Sequence, residues 1–286
     1  VAALYARRAH ARLVWHVAHD SDVQPSLRPA VPGVSSLLSR FDERIIDYGI
    51  RHADAIVVQT QHQADLLLRH YGRNDSTLIP NFHPIPDNLP DKPSDPITIT
   101  WVANIKPFKR PEVFVRLAED FRNRPNVRLI MIGAPPLSNP EWPTLLAKIQ
   151  ALPNLLYLGG LSQEQVNHWL ARSHVFVNTS ESEGFANTFI QAWMRGTPVV
   201  SLDVDPDGLL ASRMYRYCAG GDYHALRRHV ETLIDDPELR RTLSEQAKRH
   251  SRATYSYRNI ESLVEVLLHD TAATESDSPT NAIDSQ

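Results

Sequence analysis

Apolar positions along the chain switch repeatedly between two periods, and the alternation predicts a layered α/β architecture. Short runs rich in β-branched and aromatic residues read as strands at 12–19, 54–60, 76–80, 97–102, 127–132, 154–158, 174–178 and 199–202. Between them, apolar residues recur at helical spacing in 35–51, 61–70, 111–122, 163–171 and 186–195. Gly72 closes the second of these helices, and Gly196-Thr197-Pro198 ends the last and opens the next strand. Strand-helix units in series imply parallel sheets covered on both faces, a doubly wound arrangement. Helical patterns at 223–234, 237–250 and 257–268 close the chain.

The pattern breaks once in the middle. Five prolines from Pro84 to Pro96, interspersed with Asp and Asn, leave neither period. Residues 84–95 are therefore expected to link a partial first domain (1–83) to a second domain (96–256). A helix at 257–269 would cross back to the first domain, and the Ser-, Thr-, Asp- and Asn-rich tail at 270–286 is expected to be disordered. A length of 286 residues suits two domains, and 42% hydrophobic residues give each a core.

Net charge is −3 with no long basic run, so electrostatics gives no support for a nucleic-acid partner. A lone cysteine, Cys218, excludes an intrachain disulfide framework and fits a reducing compartment. No apolar run approaches the roughly 18 residues needed to cross a bilayer. Arg7, Arg8 and Arg12 could meet anionic lipid, or form the solvated flank of a helix or strand.

The densest chemistry lies in 178–207. There a buried strand leads to an acidic Glu183-Gly184 turn, then to a helix with Phe189, Ile190 and Trp193 on one side and Asn187, Thr188 and Gln191 on the other. At the helix start, the amides of Phe185, Ala186, Asn187 and Thr188 lack intrahelical partners and favour an anion such as phosphate. The segment Ser182-Glu183-Gly184-Phe185-Ala186-Asn187-Thr188-Phe189, followed by Gly196-Thr197-Pro198-Val199-Val200, resembles the donor motif of the large retaining glycosyltransferase family of GT-B fold often called family four. The resemblance runs over about 11–268 and implies two Rossmann-like domains. The Gly-rich opening of the first domain is missing from it, so an N-terminally truncated chain is expected.

By that resemblance, Glu183 contacts the transferred sugar and position 191 holds the ribose, where the family's glutamate is replaced by Gln191. In the loop after Val102, Lys109 matches the lysine on the donor's diphosphate, while Asn104 replaces an arginine that Lys106 or Arg110 would have to make good. Lys109 and Arg110 precede a helix opened by Pro111 and Glu112, and cations crowded at that positive end are tolerable when a diphosphate bridges them. A solvated basic loop is the alternative for this segment taken alone. His19 is the better match to the family's histidine near the scissile bond, and His16 is the alternative.

His16, His19, Asp20 and Asp22 lack a recognised metal-ligand spacing. Asp203-Val204-Asp205-Pro206-Asp207-Gly208 opens like a calcium loop, but Met214 stands where a bidentate glutamate is needed, so it reads as a strand-end turn. Ile79-Pro80-Asn81 resembles the family's turn before the linker, with Phe82 in place of glycine.

The resemblance thus implies retaining transfer from a nucleoside-diphosphate sugar to a glycan or lipid-linked acceptor, in bacterial envelope or exopolysaccharide assembly. The catalytic candidates are His19, Lys109 and Glu183. The donor-binding candidates are Asn104, Arg110, Gly184, Phe185, Ala186, Asn187, Thr188 and Gln191. No metal or other cofactor is expected, and the location would be cytoplasmic or peripheral to the inner membrane face. Two other readings stay open. A non-catalytic nucleotide-sugar-binding protein, or an inactive fragment of such an enzyme, fits Gln191, Asn104 and the missing opening. A sugar-nucleotide epimerase would need an assembled set of acid–base residues.

Overall fold

The computed structural model describes residues 2–28, 36–136, 138–211 and 217–268. Its first half runs α1 (Ala2–Ala9), β1 (Val14–His16), α2 (Asp20–Val23), α3 (Ser36–Arg51), β2 (Ala55–Val58), α4 (Gln61–Tyr71) and β3 (Ser76–Leu78). These three strands form one parallel sheet in the order β1-β2-β3, with Val14 opposite Ala55 and Ile56 opposite Ser76. Val17, Ile56, Val58, Leu66 and Leu67 share a small core beneath it. Thr60 caps α4 through its hydroxyl, and Gly72 ends the helix at φ +67°, a conformation that costs glycine nothing.

The second half continues with β4 (Ile97–Val102), α5 (Pro111–Asp120), β5 (Val127–Ile132), α6 (Trp142–Ala151), β6 (Leu155–Tyr157), α7 (Gln163–Arg172), β7 (Val175–Asn178), α8 (Asn187–Met194) and β8 (Val199–Ser201). Then come α9 (Tyr223–Asp235), α10 (Pro237–Thr254) and α11 (Arg258–Leu268). All pairings in its sheet are parallel, in the order β6-β5-β4-β7-β8. Strand order reverses between β4 and β7, and ligands of such sheets bind in the crevice outside the carboxyl ends at that point. Both faces are covered: along β4 even Thr98 and Thr100 are buried with Ile97, Ile99 and Trp101. The fold is α/β with two doubly wound halves, the first with three strands and the second with five among the described residues.

Residues 84–95 carry no helix or strand, yet they do not hang free. Lys92 is half-buried, and its ammonium donates to Ser173 O at 2.5 Å, Gly196 O at 2.7 Å and Thr197 Oγ1 at 2.9 Å. Ser173 and Gly196 follow the last turns of α7 and α8, so two negative helix ends converge on this cation. At the far end, Arg12 donates to Val266 O of α11, and Asn259 donates to Pro80 O at 2.9 Å.

Three helices escape the periodicity, among them the four-residue turn α2. The prolines at 135, 136, 140 and 143 obscure α6, and α1 is a short Ala- and Arg-rich segment. Helix α10 also runs four residues past the expected end, to Thr254. The tail at 270–286 and Met214 lie outside the described residues.

Candidate active site

The site starts at the β4 end. After Val102 the chain makes one tight turn at Pro107–Lys109, and Arg110 adopts φ +46° as the residue before α5. That left-handed geometry costs a non-glycine residue some strain, which tertiary partners offset. Arg110 Nε donates to Thr179 O at 2.9 Å, and its guanidinium pairs with Asp203. Thr179 Oγ1 accepts from Trp101 Nε1 at 2.9 Å and donates to Lys109 O at 2.6 Å. With Glu181 N donating to Phe108 O at 2.9 Å, the β4 and β7 loops are stitched together along their length.

Lys109 and Glu183 meet across this seam. The ammonium pairs with Glu183 Oε1, which also accepts from Ser180 Oγ at 2.8 Å. Their side chains are only 15% and 17% exposed, so the pair is sheltered but reachable. The Lys109 ammonium also lies 5.1 Å from the Phe108 ring centroid, a cation–π contact that holds it at the loop edge.

Gly184 brings the two halves together. A Cβ there would stand 2.7 Å from Ala18 O and 2.9 Å from His19 Cα, so only glycine allows this approach. His19 caps α2: its Nδ1 accepts from Ser21 N at 3.1 Å, which leaves the neutral ring's proton on Nε2. The Asp22 carboxylate accepts from Ala18 N and His19 N and fixes the backbone there. His16 instead lines an apolar groove with Leu13, Trp15 and Ile45, away from this contact.

Helix α8 begins at Asn187, so Phe185 and Ala186 lead into it rather than forming its first turn. Ala186 is the cap and offers no side-chain acceptor, which leaves the amide end open toward an anion. Asn187 is exposed and Thr188 half-buried, but Gln191 is only 7% exposed. The polar face expected from spacing is therefore covered at its far end, where the packed helices leave little solvent.

An interdomain cleft of about 570 Å³ opens beside this seam, lined by Asp20, Thr60 and His62 from the first half and by Glu183, Gly184, Asp205 and Asp207 from the second. Burial raises the Asp20 carboxyl above its ordinary value, against a hydrogen bond from Gln63 and the charges of His62 and His19. The three aspartates of the D-x-D-x-D-G turn each have partners. Asp203 pairs with Arg110, Asp205 accepts from Leu210 N and Ala211 N at 2.6 and 2.8 Å, and Asp207 accepts from Gln61 N and His62 N at 3.0 Å each. Asp207 thus reaches across the cleft to the positive end of α4.

The structure brings Lys109, Arg110, Glu183, Gly184 and His19 to one seam. Asn104 lines a neighbouring hollow of about 650 Å³ with Lys106 and Ala134, at the ends of β4 and β5. Spacing missed Ser180, Thr179 and Asp207, whose roles depend on contacts between distant segments. The D-x-D-P-D-G pattern picked out Asp207 as part of a strand-end turn, but not its partners on α4.

Residues 87–250, more than half of the chain, match the family model described as glycosyl transferases group 1. The chain belongs to that family. It is 26% identical over 223 residues to D-inositol 3-phosphate glycosyltransferase of Streptomyces avermitilis, covering 70% of this chain and 48% of that one. It is 32% identical over 174 residues to an uncharacterized glycosyltransferase of Methanocaldococcus jannaschii, covering 54% and 41%. The chain spans about half the length of the curated relatives it matches. Among solved structures, HepE of Anabaena in complex with UDP superposes with a TM-score of 0.77 at 17% identity, covering 93% of this chain and 74% of that one. A point mutant of TarM of S. aureus, in complex with fondaparinux, α-GlcNAc-glycerol and UDP, superposes at 0.73 with 15% identity, covering 91% and 51%. Both likenesses concern the fold, which is that of the GT-B glycosyltransferases.

Proposed function

We propose that this chain supplies the donor site and part of the acceptor side of an enzyme that transfers a sugar, with retention, from a nucleoside-diphosphate sugar to a glycan or lipid-linked acceptor. The observation that carries the reading is the sheltered Lys109–Glu183 pair beside the open amide end of α8, at the point where strand order reverses. The names of the relatives, and the UDP and glucose held by HepE, support the same donor class.

Glycosyl transfer requires a site that stabilises a departing diphosphate and a developing oxocarbenium ion, chiefly an electrostatic task. Lys109 and the amides of Asn187 and Thr188 neutralise the leaving group, a role a divalent metal fills in other transferases. Once a diphosphate takes the ammonium, the Glu183 carboxylate is released to accept from sugar hydroxyls, with Ser180 orienting it. Phe185 and Ala186 shape the turn, Gln191 holds the ribose, Asn104 adds a neutral contact to the diphosphate, and Arg110 acts through the loop it braces. His19 faces the same seam from the acceptor half and orients hydroxyls through Nε2. The acceptor oxygen attacks on the face the diphosphate leaves, and a leaving-group oxygen takes its proton.

A place in envelope or exopolysaccharide assembly, in the cytoplasm or against the inner membrane face, belongs to the same proposal. No helix among the described residues is long and apolar enough to cross a membrane. The test is to incubate the chain with UDP-, GDP- and ADP-glucose and measure release of the nucleoside diphosphate. The expected result is turnover with one base, lost on Glu183→Ala. Affinity without any turnover would instead favour the nucleotide-sugar-binding reading.

A further inference from the structure

The cleft between the halves has a lining of one charge sign. Asp20 and Asp65 stand on its wall from the first half, and Glu181, Glu183, Asp205 and Asp207 from the second. Among the described residues that line it there is no lysine or arginine, and only His62 could carry positive charge. At about 570 Å³ the cleft has the size of a small-molecule site.

The position where an anion would settle is already taken. Gln61 and His62, the first two residues of α4, line the cleft, and the amide end of a helix favours phosphate. Asp207 crosses from the second half and fills that end, accepting from Gln61 N and His62 N at 3.0 Å each. A phosphate entering here has to displace this carboxylate or stand beside it. Asp20 directly follows His19; its Oδ1 accepts from Gln63 Nε2 at 3.2 Å, and its Oδ2 lies 4.0 Å from His62 Nε2. Burial and, more weakly, the charge of Asp207 raise the Asp20 carboxyl, so these two groups already repel one another. Gln59, one residue before Thr60 of the cleft wall, is 7% exposed, and its carboxamide oxygen has no hydrogen-bond partner. Carboxylates and carboxamide oxygens accept hydrogen bonds, so a ligand that satisfies this wall must donate them.

We propose that the cleft selects the acceptor by charge: it takes a polyhydroxylated acceptor whose entering end is neutral or carries an amino group, and it rejects one phosphorylated there. The proposal rests on the donor reading of the seam, which puts the acceptor beside His19. Sugar hydroxyls or an ammonium donate to Asp20, Asp65 and Asp207, whereas a phosphate meets like charge on both walls. Once a nucleotide diphosphate takes the Lys109 ammonium, the Glu183 charge is released toward the same space, and the bias against an anionic acceptor grows. Selection of this kind works by repulsion of the wrong ligand as much as by attraction of the right one.

The test measures binding of glucose, glucosamine, glucose 6-phosphate, myo-inositol and D-inositol 3-phosphate to the full chain by saturation-transfer NMR titration, with and without UDP. Glucosamine is expected to bind at least as well as glucose, and each phosphate ester about tenfold or more weaker than its parent compound. Asp65→Lys, at an exposed position of α4, and Asp207→Asn should each narrow the ratio of parent to phosphate ester about two- to fivefold, the weight of one partly exposed charge. A side chain that only supports the fold would shift both members of a pair together and leave that ratio alone. Phosphate esters that bind as well as their parents, a ratio that neither variant moves, or no binding by any of the five compounds overturns the proposal. If Asp207→Asn does not fold, Asp65→Lys decides alone. A chain that binds no UDP loses the donor reading, while the order of the five compounds measured without UDP still decides whether the cleft selects by charge.

Discussion

Replacing Lys109 by alanine and Glu183 by glutamine should move UDP affinity in opposite directions. In the structure each is the other's ionic partner, and both are mostly sheltered from water. Unit charges about 4 Å apart attract by about 4 kcal/mol at an effective dielectric of 20, but desolvation offsets most of that, leaving a net coupling of about 1 to 2 kcal/mol. A charge-assisted contact from Lys109 to a diphosphate is worth about 1.5 to 3 kcal/mol, so Lys109→Ala should weaken UDP roughly ten- to a hundredfold. Glu183→Gln keeps the shape and the Ser180 contact but releases the ammonium, and UDP should bind about fivefold tighter, a gain near 1 kcal/mol. For UDP-glucose the gain should vanish, because the amide is a poorer acceptor for the sugar hydroxyls. Isothermal calorimetry of both ligands on both variants reads these ratios directly. Equal weakening of UDP by the two substitutions would show that the pair serves only to hold the loop, and would refute its assignment to the donor.

Much of the fold was legible because the forces behind it are local or periodic. The β4, β5 and β7 runs are rich in β-branched and apolar residues, and Gly72 and the Asp236-Pro237 start of α10 are terminus signals with a mechanical cause. Helix α6 was hidden because the surrounding prolines read as breakers, although Pro143 sits harmlessly in its first turn. At the site, Glu183, Gly184 and Lys109 stood out by motif. The use of Arg110 did not: its charge suggested a phosphate contact, but the fold spends its guanidinium on Thr179 and Asp203. Gln191 looked solvent-facing by spacing, and only tertiary packing covers it. Asn81 belonged to a turn of no evident chemistry until the start of α8 came beside it.

Three further outcomes are expected. Lys92→Met leaves three oxygens without their donor, partly offset by removing a buried charge, and should cost about 2 kcal/mol in urea unfolding; an unchanged midpoint would show that the linker is not pinned there. His174 is held neutral by burial and then by the Lys92 charge, its pKa pushed from 6.5 down to about 4. The unfolded chain then takes up that proton first, so the His174 contribution to stability should rise with pH between about 4 and 6.5 and then level off, by about 2 kcal/mol after allowance for screening. His174→Gln should flatten that slope, and a slope identical to wild type would assign it elsewhere. Gly184→Ala forces a methyl into Ala18 O at 2.7 Å, so the loop must shift. UDP-glucose affinity should fall about tenfold or more, with a strain cost of about 1 to 3 kcal/mol, and full affinity in a folded variant would deny the close approach of the two halves.

The most direct measurement is a crystal structure of this chain grown with UDP. The account predicts diphosphate oxygens at about 3 Å, hydrogen-bonding distance, from Lys109 Nζ and from the amides of Asn187 and Thr188, with Glu183 turned away from the ammonium. UDP bound elsewhere, with the Lys109–Glu183 pair intact and the α8 amides facing only water, would contradict it.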